Sequence, residues 1–374
     1  MITVFGSDVG QEEIRNVVAT MEQQWMGFGK LVGEFEESFK NKYDIANFLM
    51  VDSGSNALYM AVQLLDLPLG SEIIVPSFTW VSCAQAILLA GMKPVFCDVD
   101  LTTMNATAET ISVKISSETK AIMIVHYAGL PVEMDAIRKL GLPVIEDAAH
   151  AVHSKYKGRQ CGALTEVGIY SFDAVKNLTA GEGGGITTCN QEMIDRARML
   201  RYCGIGKSGF DSAVSSAKGK NRWWEYNISE IFIKMLPTNM AAGIALAQLK
   251  KIDDLQSRRK RVWDTYQEEF SKTPWLIRPA EANPGDRHSY FTYCIRTPQR
   301  DEMAHYLLAN DIYTTLRYHP LHMNSIYGQM DAKLENCELL NDDCLSIPLH
   351  PRLTDDDVEK IVSRIGSFGK QHNL

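Results

Sequence analysis

Seven short apolar segments, each followed by residues typical of turns, alternate along the first half of the chain with stretches of helical periodicity. Such alternation predicts an α/β fold with a mostly parallel sheet that helices cover on both faces. In sheets of this kind, functional residues lie at the carboxyl ends of the strands. The predicted strands are Phe48–Val51, Ile73–Val75, Pro94–Cys97, Ala121–Val125, Val144–Ile145, Val167–Phe172 and Ile186–Thr188.

A long helical pattern over residues 240–270 is apolar at its start and charged at its end, and we expect it to connect two domains. We therefore predict a large domain over residues 1–250 and a smaller C-terminal domain over residues 251–374. The smaller domain is predicted to have an α/β arrangement of its own. Its predicted strands are Tyr290–Ile295 and Tyr313–Arg317, and its predicted helices are Asp301–Ala309 and Asp355–Ile365.

The N-terminal region shows two further helical patterns. The apolar residues that share one face of the first pattern, over residues 10–22, are Ile14, Val17, Val18 and Met21. Those along the next pattern are Phe35, Phe39 and Tyr43.

Composition disfavours several classes of protein. The net charge of -8 argues against a nucleic-acid partner, and no apolar run approaches the roughly 20 residues that a membrane span needs. The first residues, MITVFGSDVGQEEI, lack the apolar core of a signal peptide. Eight cysteines without a CxxC pair predict free thiols in a reducing cytoplasm and make a zinc site improbable.

The segment Ser171–Gly185 carries a single lysine, Lys176, among glycines and between two apolar runs. A strand, a tight loop and a Gly-rich return strand would hold this amine at the mouth of the sheet. Chemistry that traps a carbonyl group needs a primary amine in a fixed, partly desolvated place. A solvated loop lysine beside turn glycines would explain the same residues, and this segment taken alone favours that interpretation.

The turn Asp52–Asn56 follows the first predicted strand and opens a helix over Ala57–Leu65. Backbone N–H groups and the helix dipole make such a turn suitable for an anion. Ordinary capping of the helix by Ser55 is an equally good explanation of the same residues.

Two carboxylates, Glu146 and Asp147, end the apolar stretch GLPVIED. An acid in that place is costly unless it has a partner. A protonated pyridine nitrogen would serve, because the ion pair keeps the ring an electron sink. The alternative for Asp147 is that it caps the helix that follows.

Ser171 and Trp80 each follow another predicted strand. The Ser171 hydroxyl precedes Lys176 closely enough to bind a phosphate on the molecule that the lysine holds, although a bond to its own backbone is the alternative. Trp80 would either stack on a flat ring or pack in the core. A phosphate turn, a ring acid, a stacking aromatic and an imine-forming lysine together indicate pyridoxal 5'-phosphate, whereas P-loop and dinucleotide-binding glycine motifs are missing from the sequence.

Ordered motifs over nearly the whole chain carry a resemblance to a known family. The blocks are FEESF, SGSNAL, EIIVPSFTWVSCAQAI, PVFCDVD, VHYAGLPVEMDAI, VIEDAAHAVHSKYKG, SFDAVKNLTAGEGGGITT, AAGIALAQLKKID and YHPLH. With these blocks the chain resembles the DegT/DnrJ/EryC1/StrS family of pyridoxal-phosphate-dependent nucleotide-sugar aminotransferases. The resemblance implies the aspartate aminotransferase type of fold (fold type I) and an obligate homodimer whose active sites lie at the subunit interface.

The resemblance also implies roles for individual residues. Lys176 would bond to the cofactor aldehyde, Asp147 would pair with the pyridine nitrogen, and His150 would contact the phenolic oxygen. The phosphate would be held by Ser171 and by backbone amides. The amides are those of Ser55 and Asn56, and the side chain that would cover the ring is Trp80.

Three departures from the family pattern qualify this resemblance. Ser55 and Asn56 replace a threonine and a small residue in the turn, where binding is largely through the backbone. Lys176 takes the position that is histidine in the dehydratase branch, which disfavours that branch. An asparagine that reaches the neighbouring subunit's phosphate is not matched, because Asn227 lies too far from the AAG motif and Ile233–Met235 contains none. That contact is left unassigned.

By resemblance, the reaction is transfer of an amino group from an amino acid, usually L-glutamate, to a nucleotide-linked keto sugar, giving an amino sugar for surface glycans or secondary metabolites. A 4-keto-6-deoxyhexose on dTDP, UDP or GDP is the commonest acceptor type. A 3-keto sugar, a cyclitol ketone and a non-catalytic role in binding the cofactor are the alternatives. Intact Lys176, Asp147 and Ser171 count against the last of these.

The YHPLH stretch is expected to border the sugar site, with Tyr318 and His322 near hexose hydroxyls and Arg317 near the diphosphate. A packed loop is the alternative.

Residues 204–222 are rich in Gly, Ser, Lys and Arg and are predicted to form a mobile loop. The cations of this loop that could close over an anionic substrate are Lys207, Lys218, Lys220 and Arg222.

Overall fold

The computed structural model describes residues 1–206 and 226–374. The predicted mobile loop lies mostly outside these residues, and its four candidate cations, Lys207, Lys218, Lys220 and Arg222, lie outside them altogether. The strands in chain order are Phe48–Val51 (β1), Glu72–Pro76 (β2), Lys93–Cys97 (β3), Thr119–Val125 (β4), Val144–Asp147 (β5), Lys155–Tyr156 (β6), Arg159–Gln160 (β7), Val167–Ser171 (β8), Gly184–Thr187 (β9), Tyr293–Arg296 (β10) and Cys344–Ile347 (β11).

A seven-stranded sheet in the order β1-β9-β8-β5-β4-β2-β3 forms the centre of the molecule. Neighbouring strands from β8 to β3 run parallel, while β9 runs antiparallel to both β1 and β8. All seven strands predicted from the apolar segments are present, which confirms the mostly parallel α/β architecture.

Helices cover both faces of this sheet. On β2, Ile73 and Val75 belong to one apolar core together with Met123 of β4, whereas Ile74 belongs to the other core with Ile122. Alternate residues of a strand point to opposite faces, so two covered faces require the continuous apolar runs seen in the sequence. The helices are Gln11–Glu22, Lys30–Tyr43, Gly54–Leu64, Val81–Leu89, Ala108–Ser112, Met134–Arg138, Gln191–Leu200, Asn239–Lys250, Ile252–Phe270, Arg300–Ala309, Glu335–Asp343 and Asp355–Gln371.

The helical pattern over residues 240–270 forms two helices rather than one. They meet at Lys251, whose φ of -101° and ψ of 10° end the first and begin the second. Trp263 and Tyr266 of the second helix are buried in a separate core with β10 and β11. The division of the chain at residue 250 stays a prediction.

The predicted strand Tyr313–Arg317 is wrong. Only an isolated bridge joins Thr315 to Ser346 of β11, and the antiparallel partner of β10 is β11 itself. The sequence analysis missed β11 because its four residues directly follow the helix Glu335–Asp343, with no turn residue between them. The segment around Thr315 is therefore freed from a sheet ladder and lines a cleft.

The N-terminal segment crosses to this second core. The Ile2 N–H donates to the Asp311 carbonyl (2.7 Å), and the Tyr313 N–H donates to the Ile2 carbonyl (2.9 Å). The Leu349 N–H donates to the Val4 carbonyl (3.3 Å). These bonds fix the backbone on which Phe5 reaches the cleft.

The first helix does not bury its predicted apolar face. Ile14, Val18 and Met21 are about half exposed, whereas Glu13 is buried and accepts hydrogen bonds from the Gln248 amide and the Lys251 ammonium. The helix therefore packs on Asn239–Lys250 through a polar seam and turns its apolar side outward. In the parts of the chain that the structure describes, no helix combines the length and apolarity that crossing a bilayer requires.

Candidate active site

A cleft of about 660 Å³ opens at the carboxyl ends of the parallel strands, where Tyr313–Tyr318 faces the sheet. It brings together most of the residues that the sequence analysis selected. These are Ser55, Trp80, Asp147, His150, Ser171, Lys176, Arg317 and Tyr318. Asn56 and His322 are the two selected residues that do not line it.

The anion-binding turn begins the helix Gly54–Leu64 and is capped by Ser53, not by Ser55. The Ser53 Oγ accepts a hydrogen bond from the Asn56 N–H (3.1 Å), so that amide already has a partner. The N–H groups of Gly54 and Ser55 precede it and have no acceptor within the helix, as in any first helical turn. The Ser55 hydroxyl lies 2.7 Å from that of Ser82.

Ser171 lies directly against this helix start. A Cβ added to Gly54 would come within 2.7 Å of the Ser171 Cβ and 2.9 Å of its Oγ. The buried end of β8 therefore presents a hydroxyl beside two unpaired helix amides and the positive end of a helix dipole. This combination is suited to a phosphate group.

Replacing Gly54 with alanine is expected to displace Ser171 and to weaken cofactor binding about 10- to 100-fold, because forced overpacking costs about 1–3 kcal/mol. Equilibrium dialysis against pyridoxal 5'-phosphate measures the affinity. Gly33→Ala is the matched control, since nothing lies within 4 Å of a Cβ at that helical position. Equal affinity in both variants would contradict the assignment of the phosphate cradle.

Asp147 ends β5 as a buried carboxylate at the base of the cleft. Its Oδ1 accepts from the Ala149 N–H (2.9 Å), and its Oδ2 accepts from the Cys83 thiol (3.2 Å). Burial raises the pKa of Asp147, and these two donors oppose the rise. No cation among residues 1–206 and 226–374 forms an ion pair with this carboxylate, so it is suited to pair with one that enters the cleft.

The adjacent Glu146 lies on the other face of β5. It accepts hydrogen bonds from the N–H groups of Gly162 (2.8 Å) and Leu164 (2.6 Å), and it lies 3.1 Å from the His126 Nε2. Both side chains of the pair are excluded from solvent. Glu146 is therefore a structural anchor, and the two acids of the motif have separate tasks.

Lys176 is half-buried in the loop between β8 and β9. Burial and, after it, the positive charge of Arg317 lower the pKa of its amine to about 8, against the opposing pull of Asp147. Its Nζ lies 4.8 Å from the centre of the Phe291 ring. A substantial fraction of this amine is therefore neutral near pH 8, as nucleophilic and proton-transfer chemistry requires.

His150 is buried and stacked on Phe291, with ring centres 4.0 Å apart. Its Nε2 lies 3.0 Å from the Tyr318 hydroxyl, which also accepts from the Arg317 guanidinium (3.1 Å). The Tyr318 hydroxyl has one proton, and when it donates this proton to Nε2 the imidazole proton lies on Nδ1. Burial holds the pKa of His150 well below its usual value, so the ring is neutral.

The Nδ1 of His150 is buried without a hydrogen-bond partner among the residues that the structure describes. With the proton on Nδ1 this is a buried donor without an acceptor, which is costly and indicates that a ligand oxygen belongs there. Together with the Asp147 carboxylate, the Lys176 amine and the Gly54–Ser171 cradle, this donor fits the pyridine nitrogen, aldehyde, phosphate and phenolic oxygen of pyridoxal 5'-phosphate.

Trp80 stands at the start of the helix Val81–Leu89 and is 54% exposed, so it is not a core residue. Its ring centre is 5.6 Å from that of Tyr318 across the cleft. An exposed indole beside a cleft of this kind can cover a flat ring, which is the role expected from the sequence.

His322 is buried away from the cleft. Its Nδ1 lies 2.7 Å from the Ser77 hydroxyl, and that hydroxyl also accepts from the His322 N–H. The structure thus supports the packed-loop interpretation for His322. Arg317 and Tyr318, by contrast, both line the cleft.

Three residues of the site escaped the sequence analysis: Phe5, which lines the cleft, and Cys83 and Phe291, which contact residues that line it. Phe291 contacts His150 and Lys176, and Cys83 donates to Asp147. Phe5 stacks on Phe291, with ring centres 5.8 Å apart. Phe5 and Phe291 are brought in from distant parts of the chain, and Cys83 belongs to the apolar helix that follows Trp80, so nothing local in the sequence distinguishes these side chains from core residues.

Comparison with known proteins identifies a matching family profile and two similar proteins. Residues 7–366 match the profile described as the DegT/DnrJ/EryC1/StrS aminotransferase family. The chain is 35% identical over 381 residues to dTDP-4-dehydro-2,3,6-trideoxy-D-glucose 4-aminotransferase of Saccharopolyspora spinosa, covering 100% of this chain and 98% of that one. It is 33% identical over 377 residues to the spore coat polysaccharide biosynthesis protein SpsC of Bacillus subtilis, covering 97% and 95% respectively.

A solved structure is similar over the full length. The aminotransferase TlmJ from Streptoalloteichus hindustanus superimposes with a TM-score of 0.93 at 33% sequence identity, and the match covers 100% of both chains.

Proposed function

Because this chain belongs to the DegT/DnrJ/EryC1/StrS aminotransferase family, we propose that it moves an amino group from L-glutamate to a 4-keto-6-deoxyhexose carried on a nucleoside diphosphate. The chain is a pyridoxal-phosphate-dependent sugar aminotransferase. The Saccharopolyspora relative supports the acceptor, since its name specifies a 4-keto deoxyhexose linked to dTDP. The choice of L-glutamate follows the usual donor of the family.

Five residues are proposed to hold the cofactor. The Gly54 and Ser55 amides with the Ser171 hydroxyl bind its phosphate, and Asp147 and His150 bind the ring nitrogen and the ring oxygen. When bound, pyridoxal 5'-phosphate carries the amino group and takes up the electrons that are released as a proton leaves the neighbouring carbon. Asp147 supports this by staying negatively charged beside the ring nitrogen.

Lys176 is proposed to move the proton. Its amine is partly neutral near pH 8, so it accepts a proton from the donor α-carbon and delivers it within the same cleft. With a keto sugar in place of the amino acid, the same amine works in the reverse direction. Trp80 is proposed to cover the open face of the site and to limit the access of water.

The observation that supports this proposal most strongly is the grouping in one cleft of Lys176, Asp147 and the Gly54–Ser171 cradle. A half-neutral amine, a buried carboxylate without a cation, and a phosphate site occur together. Each has a commonplace explanation by itself, but their convergence at the carboxyl ends of the strands is what transamination requires.

An absorbance titration tests both halves of the reaction. L-Glutamate is expected to bleach the absorbance band of the cofactor-loaded protein, and one member of a panel of nucleotide keto sugars is expected to restore it. If a 3-keto sugar or a cyclitol ketone restores the absorbance band instead, that compound and not a 4-keto-6-deoxyhexose is the acceptor. A band that no amino acid alters would favour the non-catalytic role.

We also propose that the protein is a homodimer with shared active sites, as the family resemblance implies. The exposed apolar face of the first helix supports this, because an apolar patch on that scale marks a protein interface. Apolar residues that follow the first helix continue the exposed surface. They are Trp25, Met26 and Phe28.

Val18→Glu, at a residue that is 46% exposed in this face, is expected to convert the dimer to a monomer and to lower activity at least about tenfold, because burial of an unpaired charge opposes association. Light scattering coupled to size exclusion measures the mass. Leu69→Glu is the control, since Leu69 is 85% exposed but lies beside Gly91, away from the first helix. If the Val18→Glu variant remains a dimer, the dimer interface lies elsewhere on the protein.

A further inference from the structure

Arg317 is a cation that faces the cleft without an anionic partner. Within residues 1–206 and 226–374, no carboxylate forms an ion pair with it, and its guanidinium donates to the Tyr318 hydroxyl (3.1 Å). Apart from Lys176, it is the cationic side chain among the described residues that line the cleft. A partly buried guanidinium is costly without an anion, so its position indicates a site for one.

Two aromatic rings lie close to this guanidinium. Its Cζ lies 3.7 Å from the centre of the Phe5 ring and 5.3 Å from that of Phe291. Stacking occupies a face of the guanidinium but leaves the N–H groups at its edge available. One of these binds Tyr318, and the others keep the fork geometry that matches a carboxylate bidentately.

Arg317 and Lys176 share the same aromatic floor. The Lys176 Nζ and the Arg317 Cζ each lie within about 5 Å of the Phe291 ring centre, at 4.8 Å and 5.3 Å. After burial, the charge of Arg317 is the largest influence that lowers the pKa of Lys176. An anion bound by Arg317 would therefore lie close to the amine that moves the proton.

We propose that Arg317, clamped by Phe5, binds the α-carboxylate of the amino-acid donor. The inference rests on the proposed function. The carbon that exchanges its proton with Lys176 bears the α-carboxylate directly, whereas the keto carbon of a nucleotide hexose is several bonds from the diphosphate. Because Arg317 and Lys176 both lie against the Phe291 ring, the carboxylate on the reacting carbon is the anion nearest to Arg317, and we infer it in place of the diphosphate that the sequence analysis assigned to this residue.

The first test compares the two half-reactions. Arg317→Met is expected to weaken the apparent affinity for L-glutamate about 100-fold, and Arg317→Lys about tenfold, because lysine keeps the charge but not the fork. The rate with dTDP-4-keto-6-deoxyglucose is expected to fall by no more than about tenfold, through the raised pKa of Lys176 that affects both half-reactions. Arg261→Met, at an exposed arginine of the helix Ile252–Phe270, is the control for the loss of a charge.

A second comparison identifies which carboxylate is bound. The wild-type protein is expected to prefer L-glutamine, which keeps the α-carboxylate, over L-isoglutamine, which does not. Arg317→Met is expected to lose most of this preference. If Arg317→Met instead slows the sugar half-reaction and spares the glutamate half-reaction, Arg317 contacts the diphosphate and the inference is wrong. Unchanged kinetics in both half-reactions would also overturn it.

Calorimetry with glutarate gives a readout that does not depend on turnover. The cofactor-loaded wild-type protein is expected to bind this unreactive dicarboxylate, and Arg317→Met is expected to bind it about 100-fold more weakly. Equal binding would refute the carboxylate site. If no amino acid alters the cofactor band of the wild type, the proposed function fails, but the glutarate comparison still decides whether Arg317 binds a carboxylate.

Discussion

Lys176→Ala is expected to lower turnover by about 10⁴-fold, because it removes the one amine placed to move the proton and to hold the cofactor. No other lysine among the described residues lines the cleft. The side chain packs near Phe291 and forms no ion pair among the described residues, so its loss should leave the fold intact. Single-turnover kinetics with L-glutamate, followed by the cofactor absorbance, measure the effect.

Two controls separate chemistry from structure. Lys176→Arg keeps the charge, but its guanidinium stays protonated, so it is expected to be as inactive as the alanine variant. Added methylamine is expected to restore part of the Lys176→Ala activity, since a small neutral amine can occupy the vacated space. Turnover of Lys176→Ala near the wild-type rate would refute the assignment of the proton carrier.

Asp147→Ala is expected to lower turnover about 10³-fold, because a carboxylate opposite a buried cation contributes about 3–5 kcal/mol. The alanine leaves the Cys83 thiol and the Ala149 N–H in place but removes the negative charge. Asp147→Asn keeps the shape of the side chain without its charge, and its turnover is expected to fall nearly as far as that of Asp147→Ala. The pH dependence of the cofactor absorbance reports the ring nitrogen directly and should shift to lower pH in both variants.

Glu146→Gln is the matched control for Asp147, since the two acids are adjacent in sequence and differ in their surroundings. It weakens bonds from Gly162, Leu164 and His126, so we expect a loss of about 2 kcal/mol in the free energy of unfolding. The chemistry of the folded fraction should be unchanged. If Glu146→Gln lowered turnover as far as Asp147→Ala without loss of stability, the division of labour between the two acids would be wrong.

The seven-stranded sheet was predictable from the sequence, whereas the C-terminal part of the fold was less so. Strands such as β2 and β4 are covered on both faces, which forces continuous apolar runs that are easily seen. The second core gave weaker signals. The segment Tyr313–Arg317 has the composition of a strand, but the Cys344–Ile347 strand pairs with β10 and leaves it outside the ladder. The break at Lys251 was also not apparent, since its neighbours all favour helix.

Within the site, motif residues on or beside strand ends were identifiable because chain order and strand order together determine where a carboxyl end lies. Lys176, Asp147 and Ser171 are residues of this kind. Their partners were not identifiable. Phe291 and Phe5 come to the site from segments that are far away in sequence, and phenylalanine is also an ordinary core residue.

The sequence by itself determined the parallel sheet, the family and the residues that are proposed to bind the cofactor, because apolar periodicity and ordered motifs are local properties of the chain. Only the tertiary structure showed the surroundings of Glu146, which lies on the other face of β5 and accepts hydrogen bonds from the Gly162 and Leu164 N–H groups. The tertiary structure also buried His322 elsewhere and set Arg317 against Phe5 beside Lys176. These outcomes depend on how distant segments pack, since desolvation and the approach of charges are set by neighbours in space and not by neighbours along the chain.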